Sequence, residues 1–475
     1  MRLKLLLKII SALLLIALPF TFVPLFAVFS APEFDESFVG ALSKKVERLS
    51  TLGKNKIVIV GGSSAAFGYD SALIEKYTGM PVVNLGLYAA LGTKLMLDIS
   101  REHIEKGDIV ILAPELDGQT LSLYFSASTA LFAFDGSPHL YRYVKGEHIP
   151  SLLGASWDFA AQKLDSKING KTTYSGVYSA SSFNEYGDIC YPRAENTIPM
   201  YYDENTIIDL SPDIVDGEFL LYLNEYIADC KAAGASVYFE FCPMNRLALS
   251  EGSTEKSRAE FSDYICASVD AAVIASDIEN YIYDEGYFYD TNFHLNDAGV
   301  IKHTVNVVKD ILLELGIPKA VKEEIPEPPL LPEIDVRFFG EDENAKMFEY
   351  TRLADGSYMI SGVKTEYLDR EALTVPLGYD TYKVTAIGEG AFEGSELRRL
   401  IITENTNISA LKNGCFEGAV NLSELWIYYP YEEKIMPPVS FHGTAQNFRV
   451  FVPDGSAYKQ GYYWGERGLV FEFIK

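Results

Sequence analysis

The chain is short of cysteine, of cations and of histidine, and each shortage removes a class of explanation. Its five cysteines (Cys190, Cys230, Cys242, Cys266 and Cys415) are scattered, odd in number and never spaced C-x-x-C, which argues against both a zinc site and a dense disulfide framework. Forty Lys and Arg face 66 Asp and Glu, a formal net charge of −26. With no basic patch to override it, that field repels a phosphate backbone, so nucleic acid is not an expected partner. No metal cluster or cofactor fingerprint appears, and no cofactor is expected. What is present is ordinary for a globular protein: 48% hydrophobic and 22% charged residues exclude a largely disordered chain and a polytopic membrane protein. At roughly 100–200 residues per domain, 475 residues predict two to four folded units.

After Arg2, Lys4 and Lys8 the chain is uncharged from Ile9 to Ser30. As a helix this stretch reaches roughly 33 Å, against roughly 30 Å for a hydrocarbon core, and it exceeds the apolar stretch of about 7–15 residues in a cleaved signal peptide. A transmembrane anchor is the expectation. The basic residues lie before it and Glu33, Asp35 and Glu36 just after, which places the N-terminus in the cytoplasm and the bulk outside, at the cell surface. Secretion after signal cleavage is the alternative.

From Lys56 to about Ile317, short apolar runs alternate with amphipathic stretches. The runs are Lys56 to Val60, Val82 to Leu85, Asp108 to Leu112, Val237 to Phe241 and Ala271 to Ala275, and they read as buried parallel strands. Helix-like stretches between them end at glycines such as Gly107 and Gly234. Strand–helix alternation with short connections predicts a doubly wound α/β sheet, with ligands bound beyond the carboxyl ends of the strands. A Tyr-, Ser- and Gly-rich insertion over 119–212 breaks the rhythm, and reads equally as a cap over a site or as packing decoration. The proline-rich stretch over 318–335 reads as a semi-rigid linker. Beyond it the sequence repeats: Ile387 to Gly394 (IGEGAFEG) matches Leu411 to Gly418 (LKNGCFEG), and Leu397 to Ile402 matches Leu422 to Ile427. These residues resemble the BspA-like leucine-rich repeats, which implies a β-rich repeat domain over 336–475. The chain thus divides into a basic tail (1–8), an anchor (9–30), an α/β domain (31–317), a linker (318–335) and a repeat domain.

The first apolar run enters Gly61-Gly62-Ser63-Ser64, small residues that let a strand turn sharply into a helix and leave a serine at the sheet edge. The second run ends at Gly86, which allows a ligand to approach the backbone. Near the end of the domain, His294 stands in a polar loop with Asp290 four residues earlier. Serine, glycine, then aspartate and histidine in this chain order resemble the SGNH, or GDSL-type, hydrolase superfamily, over roughly Lys56 to Leu315. The resemblance implies a flavodoxin-like doubly wound parallel sheet. It implies Ser63 as nucleophile, with its own N–H and that of Gly86 as oxyanion donors, His294 as general base and then acid, and Asp290 orienting the imidazole. Ser64 competes with Ser63 for the first role. The sequence departs from the family pattern in three places. Gly61-Gly62-Ser63 replaces Gly-Asp-Ser, a form that resembles the turns of membrane-associated, polysaccharide-modifying branches of the superfamily, Asp290 precedes the histidine by four positions instead of three, and Glu115 stands where the family has an oxyanion-donating Asn. An ionised Glu accepts hydrogen bonds only. Asn245, just past the fourth run, is a candidate replacement donor or an ordinary helix cap; Glu115, if protonated, is the other candidate donor, against a solvated or salt-bridged acid at a strand end; and Phe183 to Asp188 reads as a turn or a substrate contact.

The implied function is that of a membrane-anchored, extracytoplasmic esterase or O-acyltransferase acting on acyl esters of cell-wall or secreted glycans. The contrasting reading is a non-catalytic surface adhesion or scaffold protein with a degenerate hydrolase domain, its repeats binding a protein or glycan ligand.

Overall fold

The computed structural model describes residues 22–474 except 24, 172, 275–276, 332–334, 432–433, 460–463 and 466–467. The chain divides into two units: 1–195, 208–289 and 293–329 form the first, and 196–207, 290–292 and 330–475 the second.

The first unit is built on apolar strands β1 (Ile57–Gly61), β2 (Val82–Asn84), β3 (Ile109–Ala113) and β4 (Ser236–Phe239), with a two-residue pairing β5 (Met244–Asn245) apart from the main sheet, then β6 (Ala272–Val273) and β7 (Ile282–Tyr283). The main sheet runs in the order β2-β1-β3-β4-β6, every pair parallel. Every residue of β1 and β3 is buried, because helices cover both faces of a parallel sheet. Ile57, Ile59, Ile109 and Ile111 share a core with Val305, Val308 and Ile311. Those last three lie on the helix Asp297–Glu314, which also packs on Ser71–Thr78, while Thr93–Arg101 packs on Gly217–Ala233. At the amino edge of the sheet, Lys56 and Asp108 form a fully buried ion pair that joins the starts of β1 and β3.

The transmembrane helix expected over 9–30 is corrected here. Residues 1–21 and 24 lie outside the described residues, and among the described residues no helix is long and apolar enough to cross a membrane. The 21-residue helix Ile149–Asn169 carries Asp158, Lys163, Asp165 and Lys167. The fold of the described residues is mixed α/β with several parallel sheets.

The segment read as a linker behaves in two ways. Up to Pro329 it belongs to the first unit: Lys319 Nζ donates to the carbonyls of Lys76 and Tyr77, Val321 and Ile325 pack on the core, and the Pro326 carbonyl accepts from Tyr287. It forms no regular secondary structure and serves as a strap.

In the second unit a parallel ladder joins β10 (Ala372–Thr374), β13 (Arg399–Ile402), β15 (Glu424–Ile427), β16 (Arg449–Pro453) and β17 (Phe471–Ile474); the labels β8 (Phe348–Arg352), β9 (Tyr358–Val363), β11 (Gly378–Tyr379), β12 (Tyr382–Ile387) and β14 (Ala410–Leu411) denote the strands of the neighbouring sheet. Leu400 pairs with Leu425 and Leu425 with Val450, so equivalent positions recur at a constant offset. Phe392 stacks with Phe416, and Phe416 with Phe441. Phe441 marks a further coil that the sequence comparison did not find. Its turn reads Ser440-Phe441-His442-Gly443, keeping only the aromatic and a glycine whose φ of 96° favours that residue.

Candidate functional site

β1 delivers the chain through Gly61 and Gly62 to Ser63, the first residue of the short helix Ser63–Gly68. Ser63 is buried and its Oγ donates to Glu115 Oε1 at 2.8 Å; the Ser64 N–H donates to the same oxygen at 2.7 Å. The Ser64 hydroxyl is buried without a hydrogen-bond partner, so of the two serines it is Ser63 whose hydroxyl meets an acid.

Glu115 stands two residues past β3 and is itself buried. Burial pushes its carboxyl above the usual value, Asp117 adds to the shift, and His294 and the hydrogen bonds from Ser64 and Ser63 oppose it. Asp117 accepts from the backbone and hydroxyl of Thr120, which fixes the turn leaving the strand.

His294 reaches the same region from the other end of the sequence. Its ring stacks on Phe67, one helical turn after Ser63, with centroids 3.9 Å apart and planes 3° from parallel. The loop is fixed by Asn296, whose carbonyl oxygen caps the helix Asp297–Glu314 and whose amide donates to the carbonyls of Gly286 and Phe288. Tyr178, from the insertion, lies with its hydroxyl 3.4 Å from His294 Nδ1 and packs on Phe67, so the insertion does contribute to the site. Asp290 is buried but belongs, with Thr291 and Asn292, to the second unit.

Of the expected oxyanion donors, the Gly86 N–H is otherwise engaged. The Gly86 N–H donates to Asn84 Oδ1 at 2.8 Å. Gly86 is needed for clearance: a Cβ there would stand 2.5 Å from the Ala66 nitrogen. Asn245 Oδ1 accepts from the Leu247 N–H and caps a single 3₁₀ turn, which is the helix-cap reading of that residue.

A buried network missed in the sequence holds this edge of the site. Lys45 Nζ donates to the carbonyls of Asn84, Gly86 and Gly187 and lies over the Phe183 ring. Burial pulls its ammonium below the usual lysine value, with Asp188 opposing. The Asn84 amide donates to Ala65 O and Asp188 Oδ1, and Asp188 also accepts from the Ser71 hydroxyl and N–H. Phe183 to Asp188 is therefore a turn, closed by Asn184 Oδ1 accepting three successive N–H groups, and it presents Asp188 inward. A charged residue on an amphipathic helix ordinarily reads as solvated, and nothing local in the sequence marks Lys45 as buried.

A second buried cluster lies beyond β4. Tyr69 donates to Glu240 Oε2 at 2.7 Å, and Glu240 Oε1 lies 3.3 Å from His303 Nε2 without forming a hydrogen bond. Burial raises the Glu240 carboxyl to about 8 and lowers the His303 imidazole to about 3, so both favour their neutral forms despite their proximity. Among the described residues no group of three His, Cys, Asp or Glu side chains converges as a metal ion requires.

No family model and no curated protein matches this chain. Among solved structures, the protein YXIM from Bacillus subtilis is similar at 13% identity and a TM-score of 0.26, over 56% of this chain and 58% of that one. A likeness of that size carries no argument about fold or function.

Proposed function

We propose that the first unit is a serine-dependent esterase or O-acyltransferase, acting on acyl esters of cell-wall or secreted glycans. The observation that carries the reading is the buried hydrogen bond from Ser63 Oγ to Glu115 Oε1, on a helix whose next turn stacks against His294. A carboxylate raised by burial is a better proton acceptor than an ordinary one. In this scheme Ser63 Oγ attacks the ester carbonyl carbon and its proton passes to Glu115. The tetrahedral intermediate collapses to an acyl-enzyme as the departing sugar oxygen takes a proton from the site. Water or a second sugar hydroxyl then attacks the acyl carbon, and Ser63 recovers its proton. His294, which interacts electrostatically with Glu115, favours the ionised carboxylate when it is itself protonated. The glycan class rests on the resemblance of the Gly61-Gly62-Ser63 turn to those of polysaccharide-modifying hydrolases.

One observation favours the second reading, a non-catalytic binding protein: the Gly86 N–H, an expected oxyanion donor, is spent on Asn84 Oδ1. Loss of a single oxyanion donor costs on the order of 100- to 1000-fold in rate. The deciding experiment compares aryl-acetate hydrolysis and fluorophosphonate labelling of the folded chain with its Ser63→Ala and His294→Ala forms. Labelling and hydrolysis that vanish in Ser63→Ala support the esterase. Parent and Ser63→Ala behaving alike in both assays overturn it.

A further inference from the structure

The second unit holds a cavity of about 660 Å³, within the roughly 300–1,000 Å³ of small-ligand sites. Two lysines, Lys383 and Lys434, line it. Lys434 Nζ donates to the Thr406 carbonyl and stands 4.2 Å from the centre of the Tyr429 ring; Lys383 Nζ donates to the Asp335 carbonyl. Each ammonium has three donors, and among the described residues neither forms a salt bridge with a carboxylate. The Asp335 carboxylate, also at this cavity, is gripped by Arg337. Burial, and then the charge of Lys383, pull Lys434 below the usual lysine value. In a chain where acids outnumber bases 66 to 40, two lysines that face one cavity without a salt-bridge partner mark a place suited to a foreign anion.

The remaining walls indicate what carries that anion. Tyr429 and Tyr431 pack edge to face with centroids 5.6 Å apart, and Asn407 and Ser409, whose side chains donate to the Leu377 and Thr385 carbonyls, add an amide oxygen and a hydroxyl oxygen as acceptors. Flat aromatic faces suit the C–H face of a sugar ring, and amides and hydroxyls suit its hydroxyls. Met200 and Tyr201, also at this cavity, are consecutive non-glycine residues in the left-handed region, a conformation found disproportionately at ligand clamps.

We propose that this cavity binds an acidic oligosaccharide, its carboxylate between Lys383 and Lys434 and its sugar rings against Tyr429 and Tyr431. The proposal does not depend on Ser63 being a nucleophile. The test is calorimetric titration of the full chain with trigalacturonate, its fully methyl-esterified form, and triglutamate. Trigalacturonate is expected to bind at least tenfold more tightly than either of the others. Lys434→Met and Lys383→Met should each weaken it at least tenfold with an unchanged melting temperature, Lys434→Arg should stay within about threefold, and Ser63→Ala should bind as the parent does. Equal binding of the methyl ester, unchanged binding by Lys434→Met, or no binding of trigalacturonate overturns the proposal. Triglutamate binding as tightly as trigalacturonate overturns it in favour of an acidic peptide.

Discussion

At Ser63 the first question is what one hydrogen bond does. Donation to Glu115 either prepares the hydroxyl for attack or ties it down, and Glu115→Gln separates the two because it keeps the shape and removes the base. In the catalytic scheme that substitution lowers the rate of ester hydrolysis by about 10²- to 10⁴-fold. Because burial raises the Glu115 carboxyl and the ionised form is the base, the parent rate should climb with pH to a plateau reached above the ordinary carboxylate range. Initial rates from pH 4 to 9 check both. A second expectation concerns Gly86: alanine there meets the Ala66 nitrogen at 2.5 Å, and overpacking of this kind costs about 1–3 kcal/mol, read as a lowered urea midpoint. The positions of Ser63 and His294, in a turn and a loop at an edge that a strand–helix pattern makes available, could be picked out from the sequence, but Glu115 was read as a departure from an oxyanion-donating Asn and not as an acceptor of the Ser63 hydroxyl. The role of the Gly86 N–H was misread, because Asn84, two residues earlier, satisfies it locally. Lys45 was invisible, since its partners are carbonyls from β2 and from a turn more than a hundred residues away.

The strands of the main sheet follow the apolar runs closely: the run Lys56 to Val60 appears as Ile57–Gly61, and Asp108 to Leu112 as Ile109–Ala113. What the runs concealed is their charged first residues. Lys56 and Asp108 neutralise each other at the starts of β1 and β3, and Asp108→Ala leaves a buried ammonium unpaired, at a cost of about 3–5 kcal/mol measurable by denaturant unfolding. Beyond β4, Glu240 and His303 give a pH signature. The folded carboxyl at about 8 lies above its ordinary 4.5, so the folded state holds an extra proton between those values and stability from this group is lost as pH rises through about 8. The folded imidazole at about 3 lies below its ordinary 6.5, so its contribution is lost as pH falls through about 3. The two slopes oppose each other between about 4.5 and 6.5. Between about 6.5 and about 8, stability should fall by up to about 1.4 kcal/mol per pH unit and Glu240→Gln should flatten the fall, as urea midpoints from pH 5 to 9 will register. In the second unit, the strands of two coils were readable from the Leu and Ile spacing. The coil around Phe441 was not, because stacking needs its aromatic ring while the surrounding Ala, Cys and Glu positions are free to change.

For the whole molecule, the proline-rich stretch is where composition misleads most. Proline among acids predicts an extended, independent spacer, yet backbone carbonyls and apolar side chains tie 319–329 to the first unit. Limited proteolysis should therefore spare Lys319 to Pro329 and cut near Leu330 or Phe339, whose side chains are exposed, with fragments identified by mass spectrometry. The division into units has a consequence for inheritance. The chain passes from one unit to the other after Glu195, Ile207, Tyr289, Asn292 and Pro329, so parts of the second unit are encoded within the first. Asn205, one of those parts, donates to the carbonyls of Leu411 and Pro437. Recombination at the proline stretch would hand a recipient protein the repeats without the residues that complete them. The two halves are thus bound to be passed on and to diverge together, and shuffling one of them as a cassette would leave both unfinished.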